Sequence, residues 1–226
     1  MMRALLLVAA LALGCAAAQC PTDTVDPFAR CTEGIPNLHA VTAPGRPTFY
    51  RGGQPTPAGW QYLRDTLHVT DVVMLDDAIE SHGQAEDQPA RDLGLHVAVH
   101  TMPPVDYGWD FRTPAQLLEG PTPRQAAEAV AAIVRASGPV YVHCSHGRDR
   151  TGLVVGLYRV FVDGLSPDLA YAEMVATGFR PINHGLHEVW EQLFIDGSPR
   201  ERAVRQASFR AFLTFATPPE VSRHAR

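Results

Sequence analysis

The sequence of 226 residues contains no lysine, so all 19 of its basic side chains are arginines. It has 24 acidic residues and a formal net charge of −5, and no run of basic residues stands out. Proteins that bind nucleic acid usually carry a basic patch that neutralises phosphates. We therefore expect no nucleic-acid partner. Any site for a bound anion must rely on arginine and on backbone N–H groups.

Long apolar runs are absent after the N-terminus, where one such run indicates export. Arg3 supplies a positive charge, residues 4–13 are apolar, and residues 16–18 are all alanine, just before Gln19. This arrangement is typical of a secretory signal peptide, and the apolar stretch is too short to span a bilayer comfortably. We predict a signal peptide over residues 1–18, with export to the periplasm or the medium and no stable membrane insertion after cleavage.

Lipid attachment is the alternative outcome of such a signal. Leu13-Gly14-Cys15 has the form of a lipoprotein site. However, Ala12 stands where such sites prefer a large aliphatic residue. We favour soluble export over lipid attachment at Cys15.

Cysteine is scarce, with four in the whole chain. Cys15 lies in the predicted signal peptide, Cys20 and Cys31 lie in a stretch rich in proline, aspartate and threonine, and Cys144 stands alone. Exported proteins allow disulfides. Two interpretations stay open for Cys20 and Cys31: a disulfide that fastens the N-terminal segment, or two free and inert thiols.

The composition is that of an ordinary globular protein. Hydrophobic residues make up 46% of the chain and charged residues 19%, and no internal repeat or low-complexity segment is visible. A chain of this length is able to bury a sizeable core in one domain. We predict an N-terminal arm over residues 19–34 and a single domain over residues 35–226.

Strand patterns alternate with helix patterns through the middle of the chain, and the last third is helical. Such alternation favours an α/β fold with a mainly parallel sheet of about four to five strands, flanked by helices on both faces. Ligands of these sheets collect at the carboxyl ends of the strands. The predicted strands are 49–51, 69–75, 95–100 and 139–143, and the predicted helices are 56–67, 86–93, 122–138, 152–162, 166–178, 187–194 and 200–215.

One segment carries the chemistry of the chain. Residues 143–152 read His-Cys-Ser-His-Gly-Arg-Asp-Arg-Thr-Gly, between an apolar strand and an apolar helix. The unpaired N–H groups and the dipole at a helix N-terminus favour an anion there. A cysteine in such a field is stabilised as the thiolate, and Arg150 offers a planar fork that binds two oxygens of a phosphate. The segment therefore combines a nucleophile, Cys144, with an anion cradle.

These residues resemble the signature of the cysteine-dependent phosphatase superfamily, in which His-Cys is followed by five residues and then Arg-Thr or Arg-Ser. The Asp-Arg-Thr-Gly ending is most similar to bacterial dual-specificity and tyrosine phosphatases, with a looser likeness to phosphoinositide phosphatases. Residues 50–56 (Tyr-Arg-Gly-Gly-Gln-Pro-Thr) resemble the start of the bacterial dual-specificity type, and residues 100–103 (His-Thr-Met-Pro) resemble its strand before the general-acid loop. The resemblance covers about residues 35–195.

A structural role or a sulfurtransferase loop would also place a cysteine in such a segment. A buried cysteine is usually a small apolar core residue, and rhodanese-type sulfurtransferases carry a cysteine loop before a helix. Here strand, loop and helix all stand where the phosphatase motif requires them. Rhodanese loops usually lack the His-Cys and Arg-Thr-Gly frame, so we favour the phosphatase interpretation.

The resemblance implies a role for each residue of the loop. Cys144 is the nucleophile, Arg150 holds the phosphoryl oxygens, and Thr151 hydrogen-bonds the cysteine sulfur. His143 orders the loop, and Asp149 positions a water or braces the loop. The predicted phosphate-binding residues are Ser145, His146, Gly147, Arg148, Asp149 and Arg150.

Some side chains of the loop keep two interpretations. His146 and Arg148 face either a multiply phosphorylated substrate or the solvent. His184 and His187, three apart, lack the carboxylate and cysteine partners that a metal site needs. We expect no metal and no cofactor.

Two aspartates are candidates for the general acid. In the resembling family it is an aspartate on a loop after the strand that precedes the helix at 122–138. Asp106 lies a few residues beyond that strand, whereas Asp110 has the commoner spacing to Cys144. We favour Asp106 over Asp110.

The sequence thus predicts an exported hydrolase that acts on phosphotyrosine, phosphoserine or phosphothreonine esters of proteins through a phospho-cysteine. The first alternative is an inositol phosphate or phosphoinositide phosphatase with the same loop. The second is a phosphate-binding module without turnover, which follows if neither loop aspartate reaches the cysteine.

Overall fold

A five-stranded sheet lies at the centre of the computed structural model, which describes residues 30–76, 88–102 and 122–216. The strands of that sheet run in the order β3-β4-β7-β5-β6, and a two-stranded hairpin, β1-β2, precedes it. The strands are β1 (Cys31–Thr32), β2 (Ile35–Pro36), β3 (His39–Val41), β4 (Phe49–Gly52), β5 (Asp71–Met74), β6 (His96–Val99) and β7 (Val140–His143).

Seven helices accompany these strands in the described part of the chain. Three of them begin at a hydroxyl cap that the sequence predicts: Thr56, Thr122 and Ser166 each accept a hydrogen bond from an amide three residues on. At Thr122 the capping box is complete, because the side-chain oxygen of Gln125 accepts a hydrogen bond from the Thr122 amide. The helices are α1 (Pro57–Asp65), α2 (Gln88–Asp92), α3 (Pro123–Arg135), α4 (Asp149–Phe161), α5 (Pro167–Ala176), α6 (His184–Phe194) and α7 (Pro199–Ala216).

The predicted fold class is confirmed. Strand β7 is central and parallel to both β4 and β5, and β6 is parallel to β5. The exception is β3, which pairs antiparallel with β4 at the edge of the sheet. The pattern did not predict β3, because a strand this short between two turns carries almost no period-2 signal.

The two faces of the sheet carry separate apolar cores. Helices α1 and α2 cover one face, where Trp60 and Tyr141 are fully buried. Helices α3 to α7 cover the other face, and Val142 of β7 is buried against them. The central strand is therefore shielded on both sides, which fixes the position of the residue that follows it.

Two helices begin earlier than the sequence pattern suggests. Helix α4 begins at Asp149, not at residue 152, and α6 begins at His184, not at residue 187. At α4 the polar first turn, Asp149 to Thr151, hides the boundary from hydrophobic periodicity. The earlier start of α4 brings its N-terminus closer to Cys144.

Several predictions concern residues that the structure does not describe. The signal peptide at 1–18, with Cys15, and Cys20 of the arm lie outside the described residues. Cys31 is disulfide-bonded, so the interpretation of two free thiols is wrong for Cys31. Within the described residues, none of the helices has the length and apolar character needed to cross a membrane.

Candidate active site

Cys144 lies directly after the central strand β7 and is 4% exposed. Because α4 begins at Asp149, the chain turns from strand to helix within a few residues. We call residues 144–150 the cysteine loop. A strand end that points into a helix N-terminus places Cys144 where backbone N–H groups and the helix dipole favour negative charge.

Glycine is required at the tightest point of this loop. Gly147 has a φ of +69° and packs against the backbone of Gly52 and Gly53, where an added Cβ would collide. The loop is also tied to the turn after β4 by the amide of Gln54, which donates to the Ser145 carbonyl at 3.0 Å. The cysteine loop thus packs directly on the backbone of Gly52 and Gly53 at the end of β4.

The carbonyl of Gly147 points into the protein. It accepts hydrogen bonds from Arg51 Nη2 at 2.5 Å and from Asn37 Nδ2 at 2.9 Å. Turning carbonyl oxygens inward directs the amide N–H groups of a tight loop outward, which is the arrangement that binds an anion. Arg51 and Asn37 therefore hold the loop with this carbonyl turned inward.

Arg150 is held by a buried carboxylate that the sequence interpretation did not assign. Its Nη1 donates to Asp76 at 2.9 Å, and its Nε donates to the Met102 carbonyl at 2.7 Å. Asp76 is 0% exposed and also accepts a bond from Ser145 Oγ at 3.2 Å. Asp76 follows β5 and Met102 follows β6, so the ends of two neighbouring strands fix the plane of the guanidinium.

Replacing Asp76 with asparagine should destabilise the fold, because the buried charge of Arg150 then loses the carboxylate that it contacts at 2.9 Å. Breaking a buried ion pair costs roughly 3–5 kcal/mol. We expect the free energy of unfolding, measured by urea denaturation, to fall by about 3 kcal/mol.

The matched control is Asp65→Asn, which removes the exposed pair between Asp65 and Arg64 at 2.6 Å. Exposed pairs contribute about 1 kcal/mol or less. If both variants lose the same stability, the Asp76–Arg150 pair does not have the role assigned to it.

Asp149 braces the loop from the opposite side. Its carboxylate accepts from the backbone amide of Arg180 at 3.0 Å and from Arg180 Nη2 at 2.5 Å. Arg180 lies between α5 and α6, so this pair joins the start of α4 to the segment that leads into α6. Of the two roles predicted for Asp149, the geometry favours bracing.

Thr151 and His143 are both buried completely. Thr151 lies in the first turn of α4, and its hydroxyl makes no hydrogen bond within the described residues, so the bond to the Cys144 sulfur stays a prediction. His143 stacks on Tyr141 at 5.4 Å and meets Trp60 edge-on at 5.4 Å. These contacts fix the ring of His143 directly before Cys144.

Of the remaining predicted residues, two lie on the outer side of the cysteine loop and two lie in the part of the chain that the structure does not describe. His146 is exposed and Arg148 is half-buried, which suits a substrate rim. Asp106 and Asp110 both lie outside the described residues.

The two histidines of α6 form no metal site with other side chains of the described residues. His187 contacts Tyr171 Oη at 3.1 Å and Glu191 at 3.4 Å. Across the described residues there is no cluster of histidine, cysteine and carboxylate side chains able to hold a metal ion.

Sequence reasoning missed four side chains that shape this site: Asn37, Arg51, Asp76 and Arg180. The position of Asp76 could have been recognised from the sequence, because an acidic residue at the carboxyl end of a buried parallel strand is a candidate for the ligand-binding edge of the sheet. The others lie 31 to 110 residues from their partners in the chain. Only the folded chain brings them together.

The chain is similar in sequence to known phosphatases. A family model described as a DSP-PTPase phosphatase fused to NAD+ kinase matches residues 30–185. The dual specificity protein phosphatase TpbA of Pseudomonas aeruginosa is 34% identical over 154 residues, which cover 67% of this chain and 59% of that protein. The match thus spans less than two thirds of the curated relative.

Two solved structures share the fold. The crystal structure of P. aeruginosa TpbA has a TM-score of 0.51 at 21% identity, covering 84% of this chain and 99% of that chain. The core catalytic domain of the PP-IP phosphatase SIW14 from S. cerevisiae, in complex with citrate, has a TM-score of 0.52 at 17% identity, covering 76% and 93%. At these identities the likeness concerns the fold.

Proposed function

We propose that this chain, which belongs to the DSP-PTPase phosphatase family, hydrolyses phosphomonoesters through a phospho-cysteine intermediate. The observation that carries the proposal is the position of Cys144 between the central strand and the N-terminus of α4, with Arg150 in the first turn of that helix and its guanidinium oriented by Asp76. A nucleophile, an anion cradle and an oriented arginine fork then meet in one loop. That combination suits phosphoryl transfer.

The first step transfers the phosphoryl group to sulfur. The Cys144 thiolate attacks phosphorus, and the bond between phosphorus and the leaving oxygen breaks. Asp106 gives its proton to that oxygen, so the substrate leaves as a neutral alcohol or phenol. Arg150 and the amides of the cysteine loop stabilise the charge that spreads over the three remaining oxygens.

The second step regenerates the enzyme. A water molecule attacks the phosphorus of the phospho-cysteine while Asp106, now a carboxylate, takes its proton. The bond between phosphorus and sulfur breaks, and Cys144 returns to the thiolate as inorganic phosphate leaves. Every group in the cycle comes from this chain, so the chemistry needs no cofactor.

We assign phosphorylated proteins as the substrate class. The name of the curated relative supports dual specificity for proteins. A second candidate is an inositol phosphate or phosphoinositide. The exposed His146 and the half-buried Arg148 support it, because His146 offers a hydrogen-bonding ring and Arg148 a positive charge to further phosphate groups.

A substrate panel tests both candidates. The purified mature chain is incubated with phosphotyrosine, phosphoserine and phosphothreonine peptides, with a phosphoinositide and with inositol hexakisphosphate, and released phosphate is measured. The Cys144→Ser variant serves as the blank. Preference for the peptides supports the protein substrate, and preference for the inositol compounds supports the second candidate. Binding without turnover of any ester would leave only a phosphate-binding module.

The general acid is tested with substrates that differ in their leaving groups. Asp106→Asn should slow aryl phosphates with poor leaving groups by about 10²-fold or more, because those leaving groups need a proton. Esters with good leaving groups should be much less affected. The measurement is kcat/KM across a series of aryl phosphates.

Asp110→Asn is the matched control, since Asp110 lies in the same segment. If Asp110→Asn shows the leaving-group dependence and Asp106→Asn does not, the acid is Asp110. If neither variant shows it, the acid lies elsewhere or the chain is not the proposed hydrolase.

Export is part of the proposal. The pattern of residues 1–18 supports a cleaved signal peptide, and the disulfide at Cys31 suits an oxidising compartment. Fractionation of cells that express the full chain tests this placement.

A further inference from the structure

We propose that the buried guanidinium of Arg51 is the counter-charge of the Cys144 thiolate and thereby keeps the nucleophile ionised. In the proposed phosphatase reaction, on which this inference rests, Arg51 is a positioning residue that acts through Cys144. It is separate from Arg150, which faces the phosphoryl group.

The Arg51 side chain lies beneath the cysteine loop and contacts it. Arg51 lies on β4 opposite Val142 of β7, which is two residues before Cys144. The residue is 3% exposed. Its Nη2 donates to the Gly147 carbonyl at 2.5 Å, and its Nη1 donates to Thr177 Oγ1 at 2.8 Å. The guanidinium is therefore packed between the loop and the end of α5.

Both of those hydrogen-bond acceptors are neutral. Within the described residues, no carboxylate forms an ion pair with Arg51. Glu173 lines the same cavity of about 290 Å³ behind β3, but Arg159 binds both of its oxygens at 2.8 Å. A buried charge is costly unless another charge compensates it.

The titratable groups around Arg51 leave Cys144 as its anion. Burial lowers the pKa of Arg51 to about 10, and the charge of Cys144 acts in the opposite direction. Arg51 is thus still protonated at neutral pH. Burial raises the pKa of Tyr141, whose phenol stays neutral, and burial together with Arg51 lowers the pKa of His39 on β3. Among the described residues, Cys144 is the remaining group near Arg51 that can carry a negative charge.

Asn37 offers a natural comparison with Arg51. Its Nδ2 donates to the same Gly147 carbonyl at 2.9 Å and to the Thr177 carbonyl at 2.9 Å. Asn37 is also buried, but it carries no charge. The two residues therefore hold the loop in the same way, and only Arg51 acts on the ionisation of Cys144.

The test measures the ionisation of Cys144 without any phosphate ester. Iodoacetamide reacts with the thiolate, forming a sulfur–carbon bond and releasing iodide, so its rate against pH reports the thiolate fraction. Arg51→Gln should move the midpoint of that profile up by about one pH unit or more. Asn37→Ala removes a neutral donor to the same carbonyl and should move the midpoint clearly less than Arg51→Gln does, and Cys144→Ser shows the background.

Two further variants keep the test decisive. Arg51→Met removes the charge in an apolar form, and it replaces Arg51→Gln if that variant does not fold by circular dichroism. Arg51→Lys retains the charge, so its midpoint should return to within a few tenths of a unit of the wild type. Arg51→Lys or Asn37→Ala could also move the midpoint as far as the charge-free variants do. That result would show that Arg51 only supports the loop.

An unmoved midpoint in the charge-free variants would also overturn the inference. Because alkylation does not depend on turnover, its result is separate from the fate of the proposed function. A displaced midpoint in a chain that hydrolyses no phosphate ester would support the inference and contradict the function.

Discussion

Replacing Cys144 with serine should abolish turnover and leave oxyanion binding largely intact. A serine hydroxyl is a poor nucleophile without an adjacent base, so we expect hydrolysis of p-nitrophenyl phosphate to fall by roughly 10⁴-fold or more. Binding should persist, because the backbone cradle, Arg150 and the Asp76 brace are unchanged. Steady-state rates and calorimetric titration with phosphate measure the two effects.

Two other outcomes of the Cys144→Ser experiment lead to different conclusions. Turnover by Cys144→Ser within about 10²-fold of the wild type would contradict attack by sulfur. Loss of phosphate binding together with turnover would show that the variant has lost the loop itself. Thermal unfolding of both proteins, followed by circular dichroism, distinguishes a changed nucleophile from a changed fold.

Replacing Arg150 with lysine should be nearly as severe. An ammonium group is a point charge and cannot donate two parallel bonds to two phosphoryl oxygens. It also cannot reproduce the bonds to Asp76 and to the Met102 carbonyl that orient the guanidinium. We expect kcat/KM for p-nitrophenyl phosphate to fall by about 10²–10³-fold, the usual cost of removing one donor to transition-state charge.

Arg148→Lys is the matched control, because Arg148 lies in the same loop but is half-buried at its rim. For a monophosphate substrate its rate should stay within a few-fold of the wild type. A comparable fall in both variants would mean that the positive charge of the loop matters and the fork of Arg150 does not. Activity of Arg150→Lys within a few-fold of the wild type would place Arg150 away from the substrate.

Much of this site follows from local chemistry in the sequence. The hydroxyl caps at Thr56, Thr122 and Ser166 and the strand before Cys144 depend on residues within a few positions of one another. Local patterns of this kind can be recognised in a single sequence. The position of Cys144 at the carboxyl edge of a parallel sheet follows from the same reasoning.

The supports of the loop could not be predicted in this way. Asp76 is 74 residues from Arg150, and Asn37 is 110 residues from Gly147. The first of these contacts arises because β5 and β7 are neighbours in the sheet, and strand order is a property of the whole fold. Arg51 appears in the sequence only as part of a motif. Its burial, with no carboxylate paired to it among residues 30–76, 88–102 and 122–216, becomes visible in the structure.

The most direct test of the central claim is to trap the intermediate. The purified chain is mixed with p-nitrophenyl phosphate, quenched in acid during the first turnovers and digested, and the peptide that carries Cys144 is analysed by mass spectrometry. The proposed chemistry predicts one added phosphoryl group on Cys144, absent from Cys144→Ser treated in the same way. Sustained turnover with the Cys144 peptide unmodified, or with the phosphoryl group on another residue, would contradict it.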